Sequence, residues 1–174
     1  AVSNEYDYFT AVDDCSADDN AGAGHLGTVE FNSSTLYRYS TVNIAELMEN
    51  GLSIDEVCDV LSGYLEAFIK AMPTGKQNTF ANRTLPCFTY VTIREDQPIN
   101  MAGAFEKAVT GNGKGYEKDS IDAFLEYTKK VYENYAEYPK KSFVVCLDDV
   151  NTEAERVKMK DLARLVEKEI RNYN

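Results

Sequence analysis

Between residues 53 and 72, apolar side chains return every three or four positions: Ile54, Val57, Cys58, Leu61, Leu65, Phe68, Ile69 and Met72. That period puts them on one face of a helix. Asp55, Asp59, Ser62, Glu66 and Lys70 fall mostly on the other face. Ser53 and Glu56 have the spacing of a capping box, in which each satisfies a backbone amide that the first helical turn leaves unpaired. Pro73 and Gly75 stop the helix. The period then drops to two. In "CFTYVTIR" (87–94), Cys87, Thr89, Val91 and Ile93 point one way and Phe88, Tyr90, Thr92 and Arg94 the other. Both sets carry apolar groups, which predicts a central strand.

The remaining pattern is weaker. Residues 13–27, "DDCSADDNAGAGHLG", are acidic and then Gly/Ala-rich, and read as a loop. Residues 28–44 are rich in Thr, Val and Tyr, and read as one or two strands with a turn or bulge near Asn32-Ser33-Ser34. The run 28–95 is then strand, helix, strand, a split β-α-β pattern. "TGNGKG" (110–115) is a turn. A second amphipathic helix is predicted over about 119–136, capped by Asp119 or Ser120, with Ile121, Phe124, Leu125, Val131 and Tyr135 as its stripe. "SFVVCL" (142–147) is a short buried strand. Thr152 and Glu155 make a second capping box for a last helix to about residue 171. The class is α+β: amphipathic helices packed on a small antiparallel sheet.

At 174 residues the chain is long enough for one domain with a core of its own. It has no apolar run near the ~20 residues of a membrane span, so no membrane partner is expected. It begins without Met or a signal-like segment, and reads as part of a longer polypeptide. Four separated cysteines and one histidine make a Cys/His zinc site a poor match, and no metal or cofactor is expected. Reduced cysteines fit a cytoplasmic protein.

The net charge of −11 alone argues against nucleic acid, but its distribution does not. Residues 1–37 hold seven acids and no Lys or Arg. Residues 67–94 hold Lys70, Lys76, Arg83 and Arg94 and no acid, a local +4 island. Inside it lies "MPTGKQNTFANRTLP" (72–86). Its Gly75-Lys76 pair resembles the tail of a nucleotide clamp. The position five before Gly75 is Lys70, however, and Gln77 rather than Ser or Thr follows Lys76. The loop also leaves a helix and enters a strand, whereas a phosphate clamp does the reverse. A plain connection and a backbone-phosphate contact both remain open. In the acidic loop, the Asp13-Asp14 and Asp18-Asp19 pairs match no calcium loop. His25 has no visible nucleophile beside it, so no catalytic residue is assigned. The adjacent aromatics Tyr8 and Phe9 are either a buried anchor or a surface platform.

Four phrases carry a resemblance: "YFTAVDD" (8–14), "GHLGTVEFNSSTLYRYSTVNI" (24–44), "PTGKQNTFA" (73–81) and "NMAGAFEKAV" (100–109). In order and spacing the chain resembles the CasC family, the repeated backbone subunit of the type I-E CRISPR surveillance complex (Cascade), over about residues 5–151. The resemblance implies part of an RNA-recognition-motif-like (ferredoxin-like) palm over 28–151 and a thumb-like segment with its acidic loop over 1–27, followed by a C-terminal helix over 152–174. It implies a non-catalytic protein whose partners are CRISPR guide RNA, other copies of itself, other Cascade subunits and, through the guide, target DNA. Family members are about twice as long. The other half would bring a strand of the palm and a basic segment, so this half is expected to lack a complete sheet and to expose a strand edge.

Carried over by position, Tyr8, Phe9 and Thr10 match the thumb's aromatic pair and Thr, with Tyr8 where a family member has Trp. Lys76 matches the lysine of a loop beside the guide backbone, and Gln77 the adjoining amide. His25 falls in the segment returning from the thumb, without an assigned role. Arg83 is added on charge alone. The rival readings are a nucleotide-binding enzyme built on Gly75-Lys76, and a scaffold that contacts only protein.

Overall fold

The computed structural model describes residues 3–12, 22–111 and 113–172. The chain divides into two compact units, Ala1–Leu36 and Tyr37–Asn174.

The first unit is a hairpin of β1 (Ser3–Val12) and β2 (Gly22–Ser33), paired antiparallel with Tyr8 opposite Thr28 and Phe9 opposite Gly27. The register shifts between Thr10 and Val12. This corrects the loop expected up to residue 27: Gly22–Gly27 extend β2. β2 ends at Ser33, inside the stretch expected to turn or bulge, and no second strand follows over residues 34–43. The glycines and alanine that read as a loop are held in the ladder by β1. Asp13-Asp14, Cys15 and Asp18-Asp19 lie outside the described residues.

The second unit is built on a sheet of three strands in the order β3 (Phe88–Ile93), β4 (Lys141–Cys146), β5 (Glu155–Arg156). β3 and β4 are antiparallel, with Val91 opposite Phe143; β4 and β5 are parallel. The sheet is therefore mixed. β3 is an edge strand rather than the central strand expected from its two apolar faces. Both faces are nevertheless covered. Val91 and Ile93 join Phe143 against α2 (Ile54–Lys70) and α5 (Met159–Arg171), in a core that buries Val57, Leu61, Leu162, Val166 and Ile170. Phe88 and Tyr90, on the opposite face, pack with Met101, Phe124 and Tyr132 of a 3-10 turn (Met101–Phe105) and α4 (Glu117–Asn134). Two helical layers explain the apolar residues on both faces. Centrality does not, because position in a sheet is set by backbone partners.

The capping box at Ser53 is present: Ser53 N donates to Glu56 Oε2 at 2.8 Å, and Glu56 N to Ser53 Oγ at 3.3 Å. Two other cap expectations are corrected. α4 begins at Glu117, and its N-cap, Tyr116, makes no side-chain cap. Thr152 Oγ1 accepts from Ala154 N at 3.2 Å, and Glu155 enters β5 instead of a helix. The last helix starts only at Met159. A parallel pairing with β4 takes the two residues that local spacing assigned to the first turn. A short α1 (Ile44–Glu49), capped by Asn43, precedes α2. Among the described residues no helix is long and apolar enough to cross a membrane.

Candidate nucleic-acid interface

The loop leaving α2 begins at a helix end held by Arg38. Arg38 Nη1 donates to Ala71 O at 2.9 Å, closing the end of α2, and the Arg38 guanidinium lies 4.6 Å from the centre of the Phe68 ring. Pro73 prevents the helix from continuing. The chain then makes one short turn, α3 (Gln77–Phe80), flanked by two non-glycine residues in the left-handed region: Lys76 at φ 56°, ψ 19° and Ala81 at φ 49°, ψ 36°. Each such residue costs ~1–2 kcal/mol. Backbone bonds hold them there: Phe80 N to Lys76 O at 3.0 Å, Ala81 N to Gln77 O at 3.0 Å, and Arg83 N to Ala81 O at 2.7 Å. The connection from α2 to β3, residues 71–87, is thus a built loop, not a slack one.

Its side chains converge in part. Arg83 Nη2 donates to Gln77 Oε1 at 3.1 Å, which brings two of the sequence-predicted residues together. They line a shallow cavity of about 370 Å³ with Lys70, Met72, Thr84 and Leu85. Lys76 is exposed on the same loop, outside this lining. Asn82 Oδ1 is buried without a hydrogen-bond partner among the described residues. Lys70 and Thr84 were not singled out as site residues from the sequence. Lys70 carried a signal as a member of the basic island; Thr84 carried none.

The island itself is smaller in space than in sequence. Lys70 Nζ pairs with Glu66 Oε1 at 2.6 Å. Arg94 is not a surface cation. Its side chain is only 7% exposed and grips Asp96 with two bonds of 2.7 Å. It also donates to the backbone oxygens of Gln97 and Glu137 and lies 5.2 Å from the centre of the Tyr132 ring. Its partner pulls the Asp96 carboxyl below its ordinary range, and burial pushes the Tyr132 phenol up. Both acids, Glu66 and Asp96, sit just outside the acid-free window 67–94, so a linear count could not see them. The loop's own cations are Lys76, which is exposed, and Arg83, which is bonded to Gln77.

Tyr8, Phe9 and Thr10 lie on β1, in the other unit. Successive strand residues point to opposite faces, so Tyr8 and Phe9 do not form one platform. Tyr8 shares its face with Tyr6, Thr10, Leu26 and Thr28; it is 69% exposed and Leu26 71%. Phe9 faces the other way with Asp7, Val29 and Phe31, and its ring lies over Gly27. Both rings are exposed, Phe9 at 41%, so neither is the buried anchor, and they lie on opposite faces of the strand. The His25 backbone belongs to β2; its side chain lies outside the described residues.

A family model for CT1975-like proteins, a group of Cas proteins, matches residues 1–168. The chain belongs to the CT1975-like Cas family. No curated protein matches the sequence. Among solved structures, this Cas-family chain is similar to a chain of a "CRISPR RNA-guided surveillance complex, pre-nicking", at 29% identity and a TM-score of 0.82, over 97% of this chain and 51% of that one. It is similar to a chain of a "CRISPR RNA-guided surveillance complex" at 28% identity and a TM-score of 0.80, over 99% of this chain and 66% of that one. The chain thus spans between half and two thirds of the length of these structures.

Proposed function

We propose that this Cas-family chain is part of a CasC-type backbone subunit of a type I-E Cascade complex. In this reading it binds CRISPR guide RNA, associates with further copies of itself and with other Cascade subunits, meets target DNA through the guide, and performs no catalysis. The observation that carries the reading is the likeness, over nearly the whole chain, to chains of CRISPR RNA-guided surveillance complexes. The loop supports it locally. Lys76 and Arg83 offer charge to backbone phosphates, and Gln77, tied to Arg83, offers an amide beside them. On the hairpin, Tyr8, Tyr6 and Leu26 are exposed on a face they share with Thr10, Thr28 and Glu30. An aromatic face takes a nucleic-acid base at ~1–3 kcal/mol, whatever the base. Sequence would then be read by pairing of the guide and not by the protein.

The test is reconstitution of the full-length protein with guide RNA. Lys76→Ala and Arg83→Ala should each weaken guide retention and lower its dependence on salt by about one unit of slope. Tyr8→Ala should weaken retention with little change in that slope. If all three variants protect the guide as the parent does, the site assignment is wrong.

A further inference from the structure

α5 carries a charge pattern that its own fold does not explain. Its buried face is Leu162, Val166 and Ile170. On the opposite face Lys160, Arg164 and Lys168 follow one another every fourth residue, all exposed. Asp161 and Glu167 flank this ridge. The Arg164–Asp161 approach is 3.8 Å between exposed groups, and among the described residues Lys160 and Lys168 have no ion-pair partner. At the end of the ridge, Arg171 is tied to Asp55 at 2.5 Å.

Two local rules are broken here. Like charges four apart on a helix repel, and α5 stacks two such pairs in succession. The other long helices carry opposite-sign pairs, Glu66–Lys70, Glu126–Lys130 and Lys129–Glu133, and their like-charged pairs four apart, Asp55 with Asp59 and Asp122 with Glu126, are acidic; only α5 sets cations in such a row. Lys160 also sits in the first turn, where the helix dipole disfavours a cation, although Asp161 beside it and Lys168 in the last turn are placed as the dipole favours. Both conflicts cost stability inside the chain and disappear against an external polyanion.

We infer that this ridge docks on the phosphate backbone of a nucleic-acid duplex, independently of sequence. Three observations select that occupant. The cations stand about 6 Å apart along a straight helix. A duplex strand carries a charge every ~3.4 Å of its axis, so the ridge runs past three or four phosphates. α5 contains no aromatic residue, so it offers no stacking surface of the kind single strands need. None of the exposed large hydrophobic residues lies on α5, so the ridge lacks the apolar anchor of a protein interface. The inference adds a second contact to the guide reading, on a different surface.

The experiment uses the full-length protein assembled with its guide and a labelled DNA duplex unrelated to the guide. Anisotropy is followed between ~50 and ~200 mM salt. The triple variant Lys160→Ala, Arg164→Ala, Lys168→Ala should bind the duplex more weakly and lower the salt slope by about 3. A second variant, Lys160→Arg with Lys168→Arg, should keep both. Guide retention should be unchanged in each, which separates this surface from the Lys76 loop. Alanine favours helix and removes the repulsions, so the melting temperature should not fall. Unchanged duplex affinity and slope in the triple variant overturn the inference. So does a loss of subunit copies on the guide at unchanged duplex affinity, which would make the ridge a contact for an acidic protein surface.

Discussion

Phe9 lies across Gly27, its partner on the neighbouring strand: a Cβ placed on Gly27 would come within 2.6 Å of Phe9 Cε1 and closer still to Cζ. In this position the ring fills the space that a side chain at residue 27 would take, and either would have to move for the other. Gly27→Ala should displace Phe9 and destabilise the hairpin by about 1 kcal/mol. Phe9→Ala in the same protein should cost less than it does in the parent, because the clash it relieves is gone. A double-mutant cycle by thermal melting reads this. Additive effects would show that the ring does not rest on Gly27.

The two neighbours should also separate in function. Tyr8→Ala leaves Phe9 on its glycine, so hairpin stability should hold while guide retention falls by ~1–3 kcal/mol if Tyr8 stacks on a base. Phe9→Ala should lower both. Melting and guide-retention assays on the two single variants distinguish these outcomes.

At Lys76 stability and binding should move in opposite directions. Its left-handed backbone is costly for lysine and free for glycine, so Lys76→Gly should raise stability by up to about 1 kcal/mol while weakening guide binding. Ala81→Gly relieves the same conformation without removing a charge, and should raise stability with binding unchanged. Melting temperatures and filter binding of the two variants provide the comparison.

Arg94 should behave as a structural residue although it belongs to the basic run. Arg94→Met removes two bonds to Asp96 and two to backbone oxygens, and should destabilise the second unit by ~2–4 kcal/mol. The salt slope of guide binding should not change. A slope lowered by about one would instead make Arg94 a phosphate contact.

The Glu56 carboxyl sits below its ordinary value of 4.5, held there by the Ser53 amide and hydroxyl. A depressed carboxyl contributes stability that is present above its unfolded value and is lost as pH falls through the lower folded value. Asp96 acts with the same sign below 3.8. Melting temperature should therefore drop as pH is lowered beneath about 4.5, and Glu56→Gln, which can keep the cap without titrating, should flatten that drop.

The sequence by itself determined α2, its capping box and the alternating faces of β3, because these follow from short-range spacing and from groups a few residues apart. It also shows the acid-free loop 72–86 with Lys76 and Arg83, and the four phrases that place the chain near its family. Tertiary structure decided what depends on distant partners. β2 reaches back to Gly22 because β1 pairs with it. β3 is an edge strand because only β4 bonds to it among the described strands. Glu155 is in a strand because β4 lies alongside. Arg94 leaves the cationic surface because Asp96, Tyr132 and the backbone at Glu137 enclose it. Tyr8 and Phe9 are adjacent in the chain and opposed in space because the segment is a strand. Spacing fixes which groups can meet locally; only the closed chain fixes which charges stay in water and which side of a strand an aromatic ring occupies.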